Sequence, residues 1–260
     1  MIMIPKIIHL CWLSGDPYPE KIQYCIDSWK RYLPDYEIML WDTNRFDVNS
    51  LPWTKQAFEV KKYAFVADYI RFYAVYNYGG IYLDSDVEVI KPFDDLLHLP
   101  YFVGVEAVPD GIELAAFGAE KGTQWVKDCM DYYPGRNFIG ENGEMSLTPM
   151  PYIMGSLIRG HYAWTPVKSI AEFDPDPSRF CIFPQDRFNA HHYDDDQNLL
   201  YDVTDDTYCI HHFTNSWMPQ VNMRGPLHRL YFLISGKDWR VDYKHVRLYG
   251  KGKIKKNKQK

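Results

Sequence analysis

The sequence lacks several features that mark common classes of protein. No stretch of its 260 residues approaches the ~18 consecutive apolar residues of a membrane-spanning helix. The first six residues contain no charged leader followed by a long apolar run, so we expect no signal peptide. Positive charge is not in excess, since the net charge is -5, and this argues against a nucleic-acid partner. No internal repeat is present.

Cysteine is scarce and unpatterned. The five cysteines are odd in number, and no two have the spacing of a metal site. This pattern predicts reduced, mostly buried thiols in a cytoplasmic protein. The five are Cys11, Cys25, Cys129, Cys181 and Cys209.

Two features are abundant instead. Aromatic residues make up 17% of the chain, which favours extensive ring packing and also allows rings to line a site for a base or a sugar. Residues 251–260 carry six lysines and form a basic tail. That tail is either a solvated chain end or a segment attracted to an anionic lipid surface, at roughly 1 kcal/mol per lysine near the membrane.

Hydrophobic periodicity in the first half of the chain alternates between strands and helices. It predicts strands at 7–13, 36–41 and 81–90, and helices at 19–33 and 56–78, with a loop at 42–53. The second helix stops at Gly79-Gly80, a usual helix end. This order predicts an α/β fold with a mostly parallel sheet and helices on both faces.

The second half is less regular. We predict strands at 101–105, 112–117 and 207–213, and helices at 123–133 and 227–235. Residues 134–200 contain seven of the 17 prolines and resist assignment.

Two carboxylates follow the third predicted strand in the stretch GGIYLDSD, residues 79–86. If the strand continues, Asp84 and Asp86 point the same way because side chains alternate. Two neighbouring carboxylates repel each other, so a cation or donor groups should lie between them. The alternative, a solvated strand end, stays open on this motif alone.

Other polar residues lie near predicted strand ends or on the preceding helix. Asp68 and Arg71 share a helix face within an apolar segment, which indicates a partly buried ion pair. Trp12 is either a core residue or a platform for a flat base, and His9 is interpreted as a hydrogen-bonded strand histidine. In the late strand, His211 and His212 face opposite sides, so at most one joins a given site.

A further run, His191-His192-Tyr193-Asp194-Asp195-Asp196, looks like a metal cluster by composition. Its polar neighbours favour a solvated loop over a metal site.

The segments IPKIIHLCWLSG, KKYAFVADYIRFYAVYNYGGIYLDSDVEVIKP and HHFTNSW together resemble glycosyltransferase family 32. This group contains bacterial capsular-polysaccharide transferases and yeast mannosyltransferases with an Asp-x-Asp sugar-binding region. The resemblance covers residues 4–105 and 207–217 and is loose over 106–206. It implies a GT-A fold, with one domain over residues 1–240, an acceptor-side insertion at about 106–206 and a basic tail at 241–260.

The resemblance also implies roles for individual residues. Catalysis would depend on Asp84, Asp86 and Arg71. The metal, Mn²⁺ or Mg²⁺, would be bound by Asp86, His211 and Asp84, with His212 as the alternative histidine. The nucleotide sugar would be contacted by Leu10 through its backbone, Trp12, Asp68, Arg71, Tyr82, Asp84, Ser216 and Trp217.

The function implied is transfer of a sugar from a nucleotide donor, UDP favoured over GDP, to a glycan or lipid-linked acceptor with retention of anomeric configuration. Surface or capsular polysaccharide synthesis in the cytoplasm, at the inner face of a membrane, is the expected setting. Two other functions stay open: a non-catalytic carbohydrate-binding module, and a metal-dependent phosphohydrolase whose second metal cluster would be residues 191–196.

Overall fold

The computed structural model describes residues 3–106, 111–193 and 199–214. Its helices are α1 (Glu20–Tyr32), α2 (Pro52–Glu59), α3 (Tyr63–Tyr78), α4 (Gln124–Met130) and α5 (Met150–His161). Its strands are β1 (Ile7–Cys11), β2 (Glu37–Trp41), β3 (Gly80–Leu83), β4 (Val87–Val89), β5 (Tyr101–Val105), β6 (Ile112–Ala119), β7 (Ala163–Pro166), β8 (Arg179–Ile182), β9 (His191–Tyr193), β10 (Leu199–Tyr201) and β11 (Cys209–His211).

A five-stranded sheet in the order β2-β1-β3-β6-β5 forms the centre of the fold. Strand β1 pairs in parallel with β2 and β3, whereas β6 is antiparallel to both β3 and β5. All strands of this sheet except β6 therefore run in one direction. The predicted mostly parallel, Rossmann-like α/β sheet of a GT-A fold is confirmed.

Helices cover both faces of this sheet, as predicted. The connection from β1 through α1 leads outward to β2, and the connection through α2 and α3 leads back past β1 to β3. Right-handed crossovers in opposite directions place α1 and α3 on opposite faces. On the α1 side, Trp29 donates from its indole nitrogen to the Val87 carbonyl at 2.7 Å. Helix α1 thus holds the segment that follows β3.

The predicted helix at 56–78 is wrong in one respect: it is two helices, α2 and α3. Lys61, between them, has a left-handed backbone with φ of 57°, and Lys62 N–H bonds to the Ala57 carbonyl at 2.8 Å. A residue with this left-handed backbone conformation ends a helix. Apolar spacing continues across the break, so periodicity alone joins the two helices. The predicted loop at 42–53 also ends earlier, because α2 begins at Pro52.

The predicted strand at 81–90 is also interrupted. The backbone turns at residues 84–86, where Val87 N–H bonds to the Asp84 carbonyl at 3.0 Å. After the turn, β4 leaves the main sheet and pairs antiparallel with β11. Asp84 and Asp86 are therefore on a turn, and strand alternation is not what brings them together.

The later part of the chain contains more structure than its composition indicates. Helix α5 and the parallel pair β7–β8 lie within the region that resisted assignment, and β8 continues into a main-chain contact with β5 at Phe183. The late strand is shorter than predicted, since β11 covers only Cys209–His211. The predicted helix at 227–235 and the basic tail lie outside the described residues, and the domain division stays a prediction.

All five cysteines are free, and four are buried, as predicted. Within the described ranges, none of the helices has the length and apolar character to cross a bilayer.

Candidate active site

The site lies at the edge of the sheet where β1 and β3 end. Their parallel register pairs Ile8 with Ile81 and His9 with Tyr82. The residues that follow the two strands, Trp12 and Asp84, therefore leave the sheet at the same edge. Open α/β sheets bind ligands outside the carboxyl ends of parallel strands.

Two aspartates and one histidine form a compact group there. Asp84, Asp86 and His211 each offer one ligand atom, and these atoms all lie within 4.8 Å of one another. The turn at residues 84–86 supplies the carboxylates, and β11 supplies the histidine because it pairs with β4 directly after that turn. Carboxylate oxygens and an imidazole nitrogen form a donor set that can hold a divalent cation, with water or phosphate completing the shell.

Asp86 is held in its charged form. His211 Nε2 lies 3.4 Å from Asp86 Oδ1, and Thr214 donates to Asp86 Oδ2 from its backbone at 2.8 Å and its hydroxyl at 2.9 Å. Burial alone would raise the pKa of Asp86, but His211 and Thr214 lower it well below its usual range. Burial opposes charge on His211 as well, yet Asp86 raises the pKa of His211 to about 9. A cation entering here meets an ionised carboxylate.

Arg71 lies beside this group and contacts both flanking carboxylates. Its guanidinium donates to Asp68 at 3.0 Å, to Asp84 at 3.4 Å and to the Leu114 carbonyl at 2.7 Å. The Arg71 side chain is only 6% exposed, so α3 delivers a buried cation to the site. Burial, with the like charge of Asp84, raises the pKa of Asp68 to about 7 in spite of Arg71.

Tyr82 connects the floor of the site to Asp84. Its hydroxyl donates to Asp84 Oδ1 at 2.7 Å, and the Arg71 guanidinium lies over its ring, 4.6 Å from the centroid. The hydrogen bond fixes the direction of the Asp84 carboxylate, and the ring contact holds Arg71 against Tyr82. Cys11 is nearby, and burial raises the pKa of its thiol to about 12, so it is a thiol and not a thiolate.

Trp12 is partly buried at the end of β1. Its indole nitrogen donates to the Asp16 carbonyl at 2.7 Å, and its ring meets Tyr18 edge to face with centroids 4.9 Å apart. The ring is therefore held in place with part of its surface exposed. Leu10 is buried within β1, and His9 is buried and bonded to the Gly79 carbonyl, as its interpretation as a strand histidine required.

The two neighbouring histidines of the late segment lie on opposite sides, as predicted. His211 faces Asp86, whereas His212 Nε2 lies 2.8 Å from Glu88 Oε2. Tyr24 of α1 donates to the other oxygen of Glu88 at 2.6 Å. His212 thus belongs to a separate contact that ties the end of β11 to α1.

A second buried polar cluster adjoins His211, and sequence reasoning missed it. Glu106, Glu113, Asn189 and His191 are all buried. Burial and the neighbouring Glu106 raise the pKa of Glu113 well above its usual value. The interpretation of 191–196 as a solvated loop is wrong for His191, which is 4% exposed and belongs to β9. A charged residue in the otherwise apolar run IELAAFGA was the available signal.

The remaining predicted site residues, Ser216 and Trp217, lie outside the described residues, as do 194–198 of the acidic run. Among the described residues, Asp84, Asp86 and His211 are the one group of three or more His, Cys, Asp or Glu side chains close enough to hold a metal ion. Two buried nitrogens beside it, Arg71 Nε and His211 Nδ1, have no hydrogen-bond partner among those residues. The donor chemistry therefore fits a divalent cation with an anionic ligand.

Comparisons with known proteins agree with this geometry. Residues 19–103 match the family model for the glycosyltransferase sugar-binding region containing DXD motif. The chain is 35% identical over 139 residues to inositol phosphoceramide mannosyltransferase 3 of Schizosaccharomyces pombe, covering 50% of this chain and 37% of that protein. It is 24% identical over 229 residues to an uncharacterized glycosyltransferase of Acanthamoeba polyphaga mimivirus, covering 85% and 86%.

Among solved structures, the PaToxG glycosyltransferase superposes with a TM-score of 0.45 at 18% identity, covering 61% of this chain and 69% of that one. The matches span about a third of the length of the first fungal mannosyltransferases, from 27% to 37%. The matched region contains the Asp-x-Asp turn and the helix that carries Asp68 and Arg71. Over residues 19–103 the chain is therefore similar to the glycosyltransferases with a DXD-containing sugar-binding region.

Proposed function

We propose that this protein transfers a sugar from a nucleotide-sugar donor to a hydroxyl group of a glycan or lipid-linked acceptor, with a divalent cation and with retention of anomeric configuration. One observation carries the proposal. The Asp84–Asp86–His211 group lies directly beside the buried Arg71 at the carboxyl ends of parallel strands. A cation site next to a fixed guanidinium suits a diphosphate linked to a sugar.

Each part of the donor has a matching group on the chain. A cation held by Asp84, Asp86 and His211 would act as a Lewis acid and stabilise charge on the leaving diphosphate. Arg71 and Asp68 would bond donor-sugar hydroxyls or the ribose, and their contacts with each other and with Leu114 support this by holding them in one orientation. The exposed part of the Trp12 ring would stack on the base.

The transfer step breaks the bond between the anomeric carbon and the phosphate oxygen, and the electron pair leaves with the diphosphate. The acceptor oxygen forms the new bond to the anomeric carbon, and its proton passes to the leaving phosphate oxygen. The transition state is oxocarbenium-like, as in glycoside hydrolysis. The carboxylate of Asp84, held by Tyr82 and Arg71, supplies negative charge near that developing positive charge.

The proposal extends to the nucleotide of the donor and to the class of acceptor. The expected nucleotide is uridine, but three relatives are named inositol phosphoceramide mannosyltransferases, which makes a guanosine-linked mannose a direct competitor. The same names favour a lipid-linked acceptor over a free polysaccharide. We propose action at the cytoplasmic face of a membrane, reached through the basic tail, with capsular or surface polysaccharide as the other acceptor class.

Thermal unfolding of the full chain tests the proposal. The panel contains UDP-, GDP- and CMP-sugars, GDP-mannose included, each with and without Mn²⁺. A ligand at about 100 times its Kd stabilises the folded state by about 2.7 kcal/mol, which raises the Tm of a chain of this size by roughly 5–10 °C. We expect such a rise with one nucleotide, and only with Mn²⁺ present.

Asp86→Asn is the matching variant, because it removes charge from the site at nearly constant shape. It should lose both the Mn²⁺-dependent rise and sugar transfer. Asp27→Asn, the same substitution at an exposed position on α1, is the control and should behave as wild type. A rise with simple glycans and with no nucleotide would favour the carbohydrate-binding module. Release of phosphate from the donor without sugar transfer would favour the phosphohydrolase.

A further inference from the structure

The imidazole of His211 lies between two carboxylates. Its Nε2 is 3.4 Å from Asp86 Oδ1, on the side of the proposed cation. Its Nδ1 lies on the opposite side, 3.9 Å from Glu113 Oε1. That nitrogen is fully buried and has no hydrogen-bond partner among the described residues. Because a buried ring nitrogen without a partner costs free energy, Nδ1 requires an acceptor, and Glu113 is the carboxylate that faces it.

Glu113 is fixed in position by its own contacts. It is 1% exposed and lies on β6, where all eight residues are buried. Its Oε1 accepts from Ala115 N–H at 2.7 Å, and its Oε2 accepts from the Asn189 amide. Two donors from different elements therefore orient the carboxylate, with Oε1 toward His211. Burying a carboxyl group in an apolar strand is costly, so a role beyond packing is indicated.

Ring contacts support the same arrangement from the other side. Phe213 stacks on His211 with centroids 3.9 Å apart, and it meets His191 edge to face at 4.5 Å. His191 Nδ1 is bonded to the Asn189 side-chain oxygen. Asn189 therefore contacts both Glu113 and the histidine that packs on Phe213. These contacts leave the His211 ring little freedom to rotate.

We propose that Glu113 is a positioning residue for His211. By accepting a hydrogen bond from Nδ1–H, it keeps that proton on Nδ1, so that Nε2 is the nitrogen that can bind the proposed cation. Histidines that bind metals commonly donate their other ring nitrogen to a carboxylate, and loss of that partner typically weakens metal binding 10–100-fold. This inference rests on the proposed function, since it concerns the same cation site.

A matched pair of variants tests the proposal. Glu113→Gln replaces the carboxyl group that faces His211 with an amide, and Glu88→Gln does the same to the carboxyl group that faces His212. Both carboxylates lie beside neighbouring histidines, but only His211 faces the cation group. We expect Glu113→Gln to weaken Mn²⁺ binding about 10–100-fold, and Glu88→Gln to change it less than twofold. Titration calorimetry with Mn²⁺ alone measures both values, and circular dichroism checks the fold.

A double-mutant cycle separates positioning from a general structural effect. If Glu113 acts through His211, then Glu113→Gln should cost no further Mn²⁺ affinity once His211→Ala is present. The same loss in both backgrounds would overturn the proposal, as would equal losses in Glu113→Gln and Glu88→Gln. If the wild-type protein binds no Mn²⁺, that result contradicts the proposed function itself. If His211→Ala weakens binding and Glu113→Gln does not, only this inference fails.

A measurement on the wild-type chain covers the case in which Glu113→Gln does not fold. Nitrogen NMR of the chain with ¹⁵N-labelled histidine and saturating Mg²⁺ reports which nitrogen of His211 carries the proton, with His211→Gln to assign the signals. We expect the proton on Nδ1. A proton on Nε2 would overturn the proposal.

Discussion

Arg71→Met would break the most heavily bonded ion pair of the site. Methionine keeps much of the side-chain length but removes the charge and the donors to Asp68, Asp84 and the Leu114 carbonyl. Removing one partner of a buried pair typically costs about 3–5 kcal/mol, because the other charge is left buried and unpaired. The Asp68 side chain is 13% exposed and that of Asp84 27%, so water compensates part of the loss. We expect about 3 kcal/mol.

The stability lost in Arg71→Met should depend on pH in a defined direction. Burial already raises the pKa of Asp68 to about 7, and losing Arg71 raises it further. Near pH 5, Asp68 is protonated in folded wild type, so the pair contributes less there. Above pH 7 the folded variant holds a proton that its unfolded chain has released. Stability falls with rising pH wherever the folded state binds more protons, so the cost of Arg71→Met should grow from pH 5 to pH 8.

Urea denaturation of metal-free protein at pH 5 and pH 8 measures this cost. Arg31→Met, an exposed position on α1, is the control and should stay within about 0.5 kcal/mol of wild type. A cost below about 1 kcal/mol at pH 8, where about 3 kcal/mol is expected, would refute the buried-pair argument. So would a cost that is the same at both pH values.

Two further predictions concern the floor of the site and the tail. Tyr82→Phe should lower the free energy of unfolding by about 1.5–3 kcal/mol, since it removes a hydrogen bond to the Asp84 carboxylate. Tyr78→Phe, at an exposed ring, is the control and should not lower it. Equal denaturation midpoints for the two variants would contradict this prediction. Deleting residues 251–260 removes six lysines and should weaken binding to anionic vesicles in a sedimentation assay. Hydrolysis of the soluble donor should stay unchanged. Unchanged vesicle binding would reject the membrane role of the tail.

The architecture follows closely from the sequence, because strand and helix periodicities near the N-terminus are strong. All five strands of the central sheet, α1 and the presence of helices on both faces were predictable. Two of the corrections fall where local backbone geometry overrides periodicity. At Lys61 a left-handed residue splits an apolar helix, and at 84–86 a turn replaces a strand. Neither change alters the spacing of apolar residues, so hydrophobic periodicity reveals neither the helix break nor the turn.

The candidate site was predictable in its residues but not in its supports. Asp84, Asp86 and His211 were identified from strand ends and from resemblance, and the structure brings them together. Glu113, Asn189 and the Thr214 contact to Asp86 depend on pairing between distant segments. Single charged or amide residues within apolar or polar runs gave no indication of which partner they would meet.

The pairing of β4 with β11 has a consequence for the order in which the site is completed. The backbone of His212 bonds to the Asp86 carbonyl at 3.1 Å, across more than a hundred residues of chain. A ribosome-bound chain that ends before residue 209 contains the parallel core and both aspartates but lacks His211, the third proposed ligand. Ion affinity should therefore appear late in synthesis, and opening of this one short ladder should release the ion while the rest of the sheet stays folded.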